Sequence, residues 1–324
     1  MILAGDIGGT KTHLGFFDAV DGRPRLARST VFQSGQYSGL ADIISEFIAS
    51  KDVKVSAAAF GVAGPVSKGR VVTTNLPWVV VEADLSKLLG IPDVRLLNDL
   101  ESVAFGVGLL TADELAVLNK GREQEGNAGI VAAGTGLGIA GLFWDGKSHV
   151  PSASEGGHVD FAPRNDIEVD LLRFLLRRHT HVSVERLVSG PGLFSIYEFL
   201  KERESTGKED PLSERIENED PSQVIASAAL SGESPRAVQA LDLFTSIYGA
   251  TAGNLALTLM ATGGIYIGGG IAPKVLPKLM DGTFLNAYLD KGRFRKVLED
   301  IPVKVILNPH TGLLGAARVA AAAS

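Results

Sequence analysis

The fold is decided by one stretch, Ile2-Leu3-Ala4-Gly5-Asp6-Ile7-Gly8-Gly9-Thr10-Lys11-Thr12, in which an apolar run leads into an aspartate and two glycines. The apolar run is typical of a buried strand, and residues 13–18 read as a returning strand. Glycines let backbone amides approach a ligand closely, and the Thr10 hydroxyl completes a cradle for phosphate oxygens. Asp6 is an oxygen ligand suited to Mg²⁺ through water. The stretch predicts a strand–turn–strand phosphate loop, with a plain glycine hairpin as the alternative.

Two common phosphate-binding motifs do not fit this turn. A P-loop carries Gly-Lys-Ser/Thr at a fixed spacing and leads into a helix, and a dinucleotide fingerprint also needs a following helix. Here Lys11 follows Thr10, and the next residues alternate as in a strand.

A second copy of the plan favours the phosphate-loop interpretation. Residues 129–146 repeat an apolar strand, the turn Gly134-Thr135-Gly136, and a strand that ends in two aromatic residues and an aspartate. The copies lie about half a chain apart, which indicates two related domains rather than a short-period solenoid. Such a pair of loops could clamp a nucleotide from both sides of a cleft.

The pair of loops resembles the actin–hexokinase–Hsp70 ATPase superfamily, and the motifs described below resemble its bacterial glucokinase branch. The resemblance implies an α/β protein with a two-domain actin-like ATPase (ribonuclease H-like) fold and an interdomain cleft. We therefore expect a small α/β domain over residues 1–109 and 311–324, and a large α/β domain with helical insertions over residues 110–310.

An Asn-Asp pair follows a predicted buried strand at Asn98 and Asp99. The carboxyl ends of strands are where open α/β sheets hold ligands. The alternative is that Asp99 only caps the next helix, because Asp and Asn are preferred N-caps. A kinase needs a group that orients an alcohol and accepts its proton. The resemblance assigns that catalytic role to Asp99 and assigns contacts with sugar hydroxyls to both residues. Asn75, in a Thr-Thr-Asn run, is a weaker candidate for the substrate site.

The segment Glu155-Gly156-Gly157-His158 brackets two glycines with a carboxylate and an imidazole, which are groups that bond to vicinal hydroxyls. A structural histidine or a metal site are the alternatives. Metal is disfavoured because no cysteine or second nearby histidine completes a ligand shell. The segment resembles the sugar-binding motif of glucokinases, and the resemblance adds Glu185 as a further hydroxyl acceptor. The related ROK kinases continue into a cysteine-rich zinc loop, which a chain without cysteine cannot form.

A third glycine loop, Gly268-Gly269-Gly270, follows the apolar residues 265–267 and precedes Pro273, near which we expect a helix to begin. It resembles the adenosine motif of the superfamily. We also expect a helix over residues 112–119, and a long helix over residues 237–260 that is broken near Gly249 and Gly253. Residues 202–223 are charged and read as a surface excursion.

Composition narrows the classes of function. The 324 residues suffice for two domains, and the net charge of −6 does not favour nucleic acid or an anionic membrane. The absence of cysteine excludes disulfides and fits a reducing cytosol. No stretch reads as a signal peptide or as a membrane span. We expect a cytoplasmic protein.

Taken together, the motifs predict an ATP-dependent hexose kinase that phosphorylates glucose at its 6-hydroxyl. Kinases for mannose or an N-acetylhexosamine, an actin-like ATPase, and a sugar-responsive transcription regulator are the alternatives. The regulator would need an N-terminal DNA-binding module, and phosphate-loop residues already begin at Asp6. The resemblance implies a homodimer. The expected nucleotide and magnesium contacts are Asp6, Gly8, Gly9, Thr10, Lys11, Gly134, Thr135, Gly136, Gly268, Gly269 and Gly270.

Overall fold

The computed structural model of the chain describes residues 1–20, 23–49, 53–73, 76–152, 154–204 and 211–322. The strands are β1 (Ile2–Ile7), β2 (Lys11–Val20), β3 (Arg23–Gln33), β4 (Ala57–Val62), β5 (Val66–Ser67), β6 (Arg70–Val72), β7 (Val79–Val81), β8 (Val94–Asn98), β9 (Leu115–Asn119), β10 (Ala128–Ala133), β11 (Leu137–Trp144), β12 (His149–Ser152), β13 (Gly264–Gly268) and β14 (Val303–Ile306). The α-helices are α1 (Leu40–Ala49), α2 (Glu82–Leu89), α3 (Asp99–Val107), α4 (Asp166–Leu176), α5 (Gly190–Glu204), α6 (Ser213–Asn218), α7 (Pro221–Ser231), α8 (Pro235–Leu259), α9 (Leu276–Leu279), α10 (Thr283–Leu289), α11 (Arg295–Glu299) and α12 (Thr311–Ala322).

The chain divides into two compact units. Unit 1 contains Met1–Glu114, Pro151–Ala153 and Asn308–Ser324, and unit 2 contains Leu115–Val150 and Ser154–Leu307. No helix in the described part of the chain is both long enough and apolar enough to cross a membrane.

The main sheets of the two units share one plan. In unit 1 the order is β3-β2-β1-β4-β8, and in unit 2 it is β12-β11-β10-β13-β14-β9. Each has a central hairpin, β1–β2 or β10–β11, whose first strand pairs in parallel with a later strand, β4 or β13. A further parallel strand follows in each sheet, β8 or β14. The repeat seen in the sequence is therefore a repeat of sheet topology.

The unit 1 sheet is covered on both faces. Bulky side chains of β1, β4 and α1, including Leu3, Phe60 and Phe47, form one apolar layer. The alanines of α12 pack with Ala57 and Ala59 in the other. Small side chains let a helix lie close to a sheet, which explains the alanine-rich sequence at this end of the chain.

Helix α8 runs unbroken for 25 residues, so the predicted break near Gly249 and Gly253 is wrong. Both glycines face α10. A Cβ at Gly249 would stand 2.1 Å from the backbone oxygen of Phe284, and one at Gly253 would stand 2.5 Å from that of Tyr288. The glycines therefore allow two helices to approach closely and do not interrupt either one.

The helix expected over residues 112–119 is also wrong. A short 3₁₀ turn over Ala112–Glu114 leads into β9, an edge strand antiparallel to β14. The side-chain amide of Asn119 donates to the backbone oxygens of Leu298 and Ile301, at 3.3 Å and 2.7 Å. A short apolar run does not distinguish helix from strand, and pairing with β14 determines the strand here.

Candidate active site

The first phosphate loop connects β1 to β2 and is braced by a serine that the sequence analysis did not single out. The Gly8 amide donates to the Lys11 oxygen at 2.9 Å, which closes the turn. The buried Ser34 donates from its backbone amide to the Thr10 oxygen at 2.9 Å and from its hydroxyl to the Gly8 oxygen at 3.0 Å. The Ser34 hydroxyl also bonds to that of Thr12 at 3.0 Å. Gly9 completes the turn, and Thr10 and Lys11 are exposed.

Asp6 lies at the end of β1 in an environment that opposes its negative charge. Burial, and secondarily the charge of Asp99, raises the pKa of Asp6 to about 6. Its carboxylate is close to the first turn of α12, since a Cβ at Gly312 would stand 3.0 Å from Oδ2. Two carboxylates that raise each other's energy favour a bound cation. Among the described residues, however, no group of three or more His, Cys, Asp or Glu is arranged to hold a metal.

Asn98 ends β8 and caps α3, and Asp99 is the first residue of that helix. The Asn98 side-chain oxygen accepts from the amides of Leu100 and Glu101, at 3.0 Å and 3.4 Å. In return the Glu101 carboxylate accepts from the Asn98 backbone amide at 3.3 Å, which completes a capping box. The Asn98 side-chain amide also donates, from Nδ2, to the Gly64 oxygen at 3.1 Å. The cap is thus Asn98 and not Asp99, whose side chain is exposed.

The second phosphate loop, Gly134-Thr135-Gly136, connects β10 to β11. The Gly134 amide donates to the Gly136 oxygen at 2.8 Å, and the Gly190 amide at the start of α5 donates to the Gly134 oxygen at 2.8 Å. The Leu137 amide, directly after the loop, donates to Glu185 Oε2 at 2.9 Å. The 3₁₀ turn Val184–Arg186 and the start of α5 therefore hold this loop on one side.

Three residues that the sequence analysis assigned to sugar binding, Glu155, His158 and Glu185, lie together in unit 2. His158 Nδ1 is 3.8 Å from Glu155 Oε2, and His158 Nε2 is 3.7 Å from Glu185 Oε1. Glu155 and His158 are on the exposed turn after β12, whereas the Glu185 side chain is only 29% exposed. We call these three residues the sugar cluster. They present two carboxylates and an imidazole to solvent, which is a set that can bond to several hydroxyls at once.

The third glycine loop continues β13 and lies against the second phosphate loop. Gly269 has a φ of 81°, which favours glycine, and a Cβ there would stand 2.1 Å from the Ala133 oxygen. That oxygen accepts from the Ile271 amide at 3.2 Å. The chain then turns through Pro273, and the predicted helix begins at Leu276, three residues later than expected.

A cavity of about 490 Å³ opens between the second phosphate loop and the third glycine loop. Its volume falls in the range typical of ligand sites, about 300–1,000 Å³. Several residues of its lining were not expected from the sequence, and four of them, Asp220, Pro221, Ser222 and Gln223, belong to the segment 202–223 that reads as a surface excursion. Instead, Asp220 caps α7 and turns this segment toward the cavity. The lining residues that were not predicted include Pro191, Phe194, Ser222, Gln223, Ile271 and Lys274.

The phenol of Tyr248 joins the two strands that carry these loops. Tyr248 on α8 is fully buried. Its hydroxyl donates to the Val131 oxygen at 3.0 Å, lies 3.3 Å from the Gly268 oxygen, and accepts from the Ala133 amide at 3.3 Å. Because the hydroxyl contacts both β10 and β13, it fixes the starting points of both loops. A tyrosine inside an apolar helix gives no signal of this role in the sequence.

The predicted site residues thus form two groups, each within one unit. The unit 1 group consists of Asp6, the loop Gly8–Lys11, Asn98 and Asp99. The unit 2 group consists of the loops at 134–136 and 268–270 and the sugar cluster. Asn75 lies outside the described residues.

The chain is similar to known glucokinases over nearly its whole length. The family model for Glucokinase matches residues 3–323 of the chain. The glucokinase of Nostoc punctiforme is 41% identical over 340 residues, covering 99% of each protein. Among solved structures, a glucokinase from an Antarctic psychrotroph has a TM-score of 0.86 and 28% identity, covering 98% of both chains. A Balamuthia mandrillaris glucokinase, solved in complex with glucose, has a TM-score of 0.82 and 24% identity, covering 98% of this chain and 93% of that one.

Proposed function

The chain belongs to the glucokinase family, and on that premise we propose that it transfers the γ-phosphoryl group of ATP to the 6-hydroxyl of glucose, with Asp99 as general base. The observation that carries the proposal is the bond from the Leu137 amide to Glu185 Oε2, at 2.9 Å. Through it, a cluster suited to hydroxyl groups is built directly onto a phosphate loop. In an ATPase that acts on no sugar, a hydrogen bond between these two sites would serve no function in catalysis.

In this proposal the sugar hydroxyls are held by Asn98, Asp99, Glu155, His158 and Glu185. Asn98 has two amide hydrogens and donates one of them to the Gly64 oxygen, so the second can serve a hydroxyl. Glu155 and His158 are exposed and available to a ligand. The carboxylates of Glu155 and Glu185 can accept hydrogen bonds from sugar hydroxyls, and the His158 imidazole can donate or accept according to its tautomer.

The nucleotide contacts come from the three glycine loops. ATP is the phosphoryl donor, as the family implies. Backbone amides at Gly134–Gly136 and Gly8–Thr10, together with the Lys11 ammonium, would hold phosphate oxygens. The adenosine would occupy the cavity beside Gly268–Gly270, whose lining includes the apolar side chains of Phe194 and Ile271.

Mg²⁺ is part of the proposal and would neutralise charge on the transferred phosphoryl group. Asp6 would hold it through water. The raised pKa of Asp6, about 6, reflects burial and the nearby charge of Asp99, and a divalent cation would relieve both. With few protein carboxylates at hand, the remaining ligands would be water and phosphate, as is common for Mg²⁺.

Asp99 would take the proton from the 6-hydroxyl as that oxygen attacks the γ-phosphorus and the bond to the ADP oxygen breaks. The capping box of Asn98 and Glu101 fixes the start of α3 and with it the backbone from which Asp99 projects. Holding the hydroxyl in line and excluding water would favour transfer to the sugar over hydrolysis.

The main alternative is a kinase for another hexose, such as mannose or an N-acetylhexosamine, because the same side-chain types would serve those sugars. An ATPase without sugar kinase activity is less well supported, since it leaves the sugar cluster unexplained. The domain division at residues 109/110 and 310/311, a homodimer and a cytoplasmic location complete the proposal.

The proposal is tested by release of ADP with ATP and Mg²⁺ over a panel of hexoses and a blank without sugar. Turnover with glucose well above the blank is expected. Asp99→Asn should lower kcat by about 10²–10⁴-fold, the usual contribution of a general base, while calorimetry still detects glucose binding. Asp93→Asn is the matched control, because Asp93 is also exposed and lies at the opposite end of β8. Near-normal turnover of Asp99→Asn would refute the assignment of the base.

A further inference from the structure

A second cavity in unit 2, of about 420 Å³, takes part in no step of the proposed reaction. Its wall is largely apolar and is made by β11, α8 and residues 159–164, which follow His158 in the chain. Its lining includes Ile139, Phe161, Val184, Ile247 and Leu255. The volume is sufficient for a small molecule, and the exposed residues Asn254 and Thr258 mark its opening to solvent.

Lys291 lines this cavity and has no ion-pair partner among the described residues. Its side chain crosses α8 at Gly253, where a Cβ would stand 3.0 Å from Lys291 Cε. Burial lowers the pKa of Lys291, and the charge of Arg164 lowers it further, while Asp290 and Glu168 act in the opposite direction. An ammonium held among apolar side chains is costly unless an anion accompanies it.

The other charged groups at the cavity already have partners. Arg164 donates from its backbone amide and from Nε to the fully buried Glu168, at 2.8 Å and 3.2 Å. Asp160 is exposed and bonds to His181 at 2.9 Å. Among the residues that the structure describes, the lining therefore carries one positive charge without a counterion.

We propose that this cavity binds a small amphiphilic anion, a carboxylate on an apolar body, with the carboxylate paired to Lys291 and the body against the apolar wall. A neutral apolar molecule would remove water from Lys291 and leave its charge unpaired. A cationic molecule would be repelled by Lys291, whose charge is not balanced. The charge and the apolar lining together select the anion.

The ligand would act on the sugar cluster through the chain segment that they share. Ser154 and Gly156 line the cavity, and Gly156 lies between Glu155 and His158. A Cβ at Gly156 would stand 3.2 Å from Ile139 Cβ, so this turn packs directly on β11. A ligand that fills the cavity would favour the turn in the conformation that groups Glu155 with His158. This step rests on the proposed function, and we expect a lower KM for glucose with little change in kcat.

Calorimetric titration with sodium octanoate measures binding at this site independently of enzyme activity. Octan-1-ol, which is neutral, and octylamine, which is cationic, are matched probes with the same alkyl chain. Octanoate should bind at least about tenfold more tightly than either, the usual effect of one charge-assisted hydrogen bond. Lys291→Met should weaken octanoate binding by about tenfold, and Lys291→Arg should retain it. Lys296→Met, at an exposed lysine nearby in sequence, is the control. Thr258→Glu at the opening should also weaken binding, without a change in the apolar wall.

Equal binding of the three probes, or unchanged octanoate binding by Lys291→Met, would overturn the proposal. The proposal would also be overturned if octanoate bound only under conditions in which sedimentation shows that a dimer has dissociated. In that case a second copy of the chain would be the natural occupant of the cavity. A glucose KM about threefold lower with octanoate, matched by tighter octanoate binding with glucose, would support the coupling. If octanoate binds as expected and no sugar is phosphorylated, the proposed function fails and the site remains.

Discussion

Glu185 is the carboxylate that joins the sugar cluster to the second phosphate loop, and its replacement should weaken the binding of both substrates. Its Oε2 accepts from the Leu137 amide at 2.9 Å, and its Oε1 is 3.7 Å from His158 Nε2. Glu155 provides a contrast within the same cluster, since its side chain is 80% exposed and lies 3.8 Å from His158. In the part of the chain that the structure describes, it makes no hydrogen bond to the loop. Changes at the two glutamates should therefore separate sugar binding from loop positioning.

The magnitude follows from the bond to Leu137. A hydrogen bond to a charged group contributes about 1.5–3 kcal/mol and a neutral one about 0.5–1.5 kcal/mol. Glu185→Gln keeps a neutral acceptor, so a loss of about 1 kcal/mol is expected, which corresponds to about a fivefold higher KM for ATP. Glu185→Ala leaves the part-buried Leu137 amide without its acceptor, at a cost of about 1–3 kcal/mol. Its KM for ATP should therefore rise by about five- to 150-fold.

The assay is the initial rate over a range of ATP concentrations at saturating glucose, and over glucose at saturating ATP. Glu155→Gln should raise the KM for glucose and leave the KM for ATP within about twofold. Both Glu185 variants should raise both constants, and Glu185→Ala should do so more than Glu185→Gln. If the KM for ATP is the same in Glu185→Ala as in Glu155→Gln, the bond to Leu137 does not position the phosphate loop and the reasoning is refuted.

Three further predictions concern stability and the nucleotide site. In urea melts, Asp6→Asn should raise the free energy of unfolding by about 1–3 kcal/mol at pH 8 and leave it unchanged near pH 3. The native pKa of Asp6, about 6, exceeds its unfolded value, so the charged carboxylate destabilises the native state above that pH. Near pH 3 the carboxyl is mostly protonated in both states, and its replacement changes little. Tyr248→Phe should raise the KM for ATP by about three- to tenfold with an unchanged KM for glucose, and equal effects on both constants would contradict its link to the loops. Gly249→Ala should destabilise the protein by about 2–3 kcal/mol despite alanine's higher helix propensity, since its Cβ would meet the Phe284 oxygen at 2.1 Å; a thermal melt at or above the parent's midpoint would argue against the close packing.

The glycine turns were predictable from the sequence because the backbone itself makes the site there. A short apolar strand followed by Gly8-Gly9 or Gly134-Thr135-Gly136 is a local pattern, and the structure has a hairpin at each of these positions. The three members of the sugar cluster were also named in advance, two from a local motif and Glu185 through the family resemblance.

The features that the sequence did not reveal depend on contacts between distant segments. Ser34 braces a loop 26 residues before it, and Tyr248 joins strands 117 and 20 residues away. Each is an ordinary residue for its element, so no local pattern marks it. The misread glycines of α8 have the same origin, because the sequence indicates where a side chain is missing but not which neighbour requires the space.

The capping and catalytic interpretations of the Asn-Asp pair, set against each other in the sequence, are compatible in the structure. Asn98 provides the cap, and its bonds to the amides of Leu100 and Glu101 fix where α3 begins. Asp99 is therefore held at the first helical position, within electrostatic reach of Asp6, whose pKa it raises. A general base needs a defined position relative to the reacting hydroxyl and the metal. A helix cap is a local means of providing that position, so the structural role of Asn98 is a condition for the proposed role of Asp99.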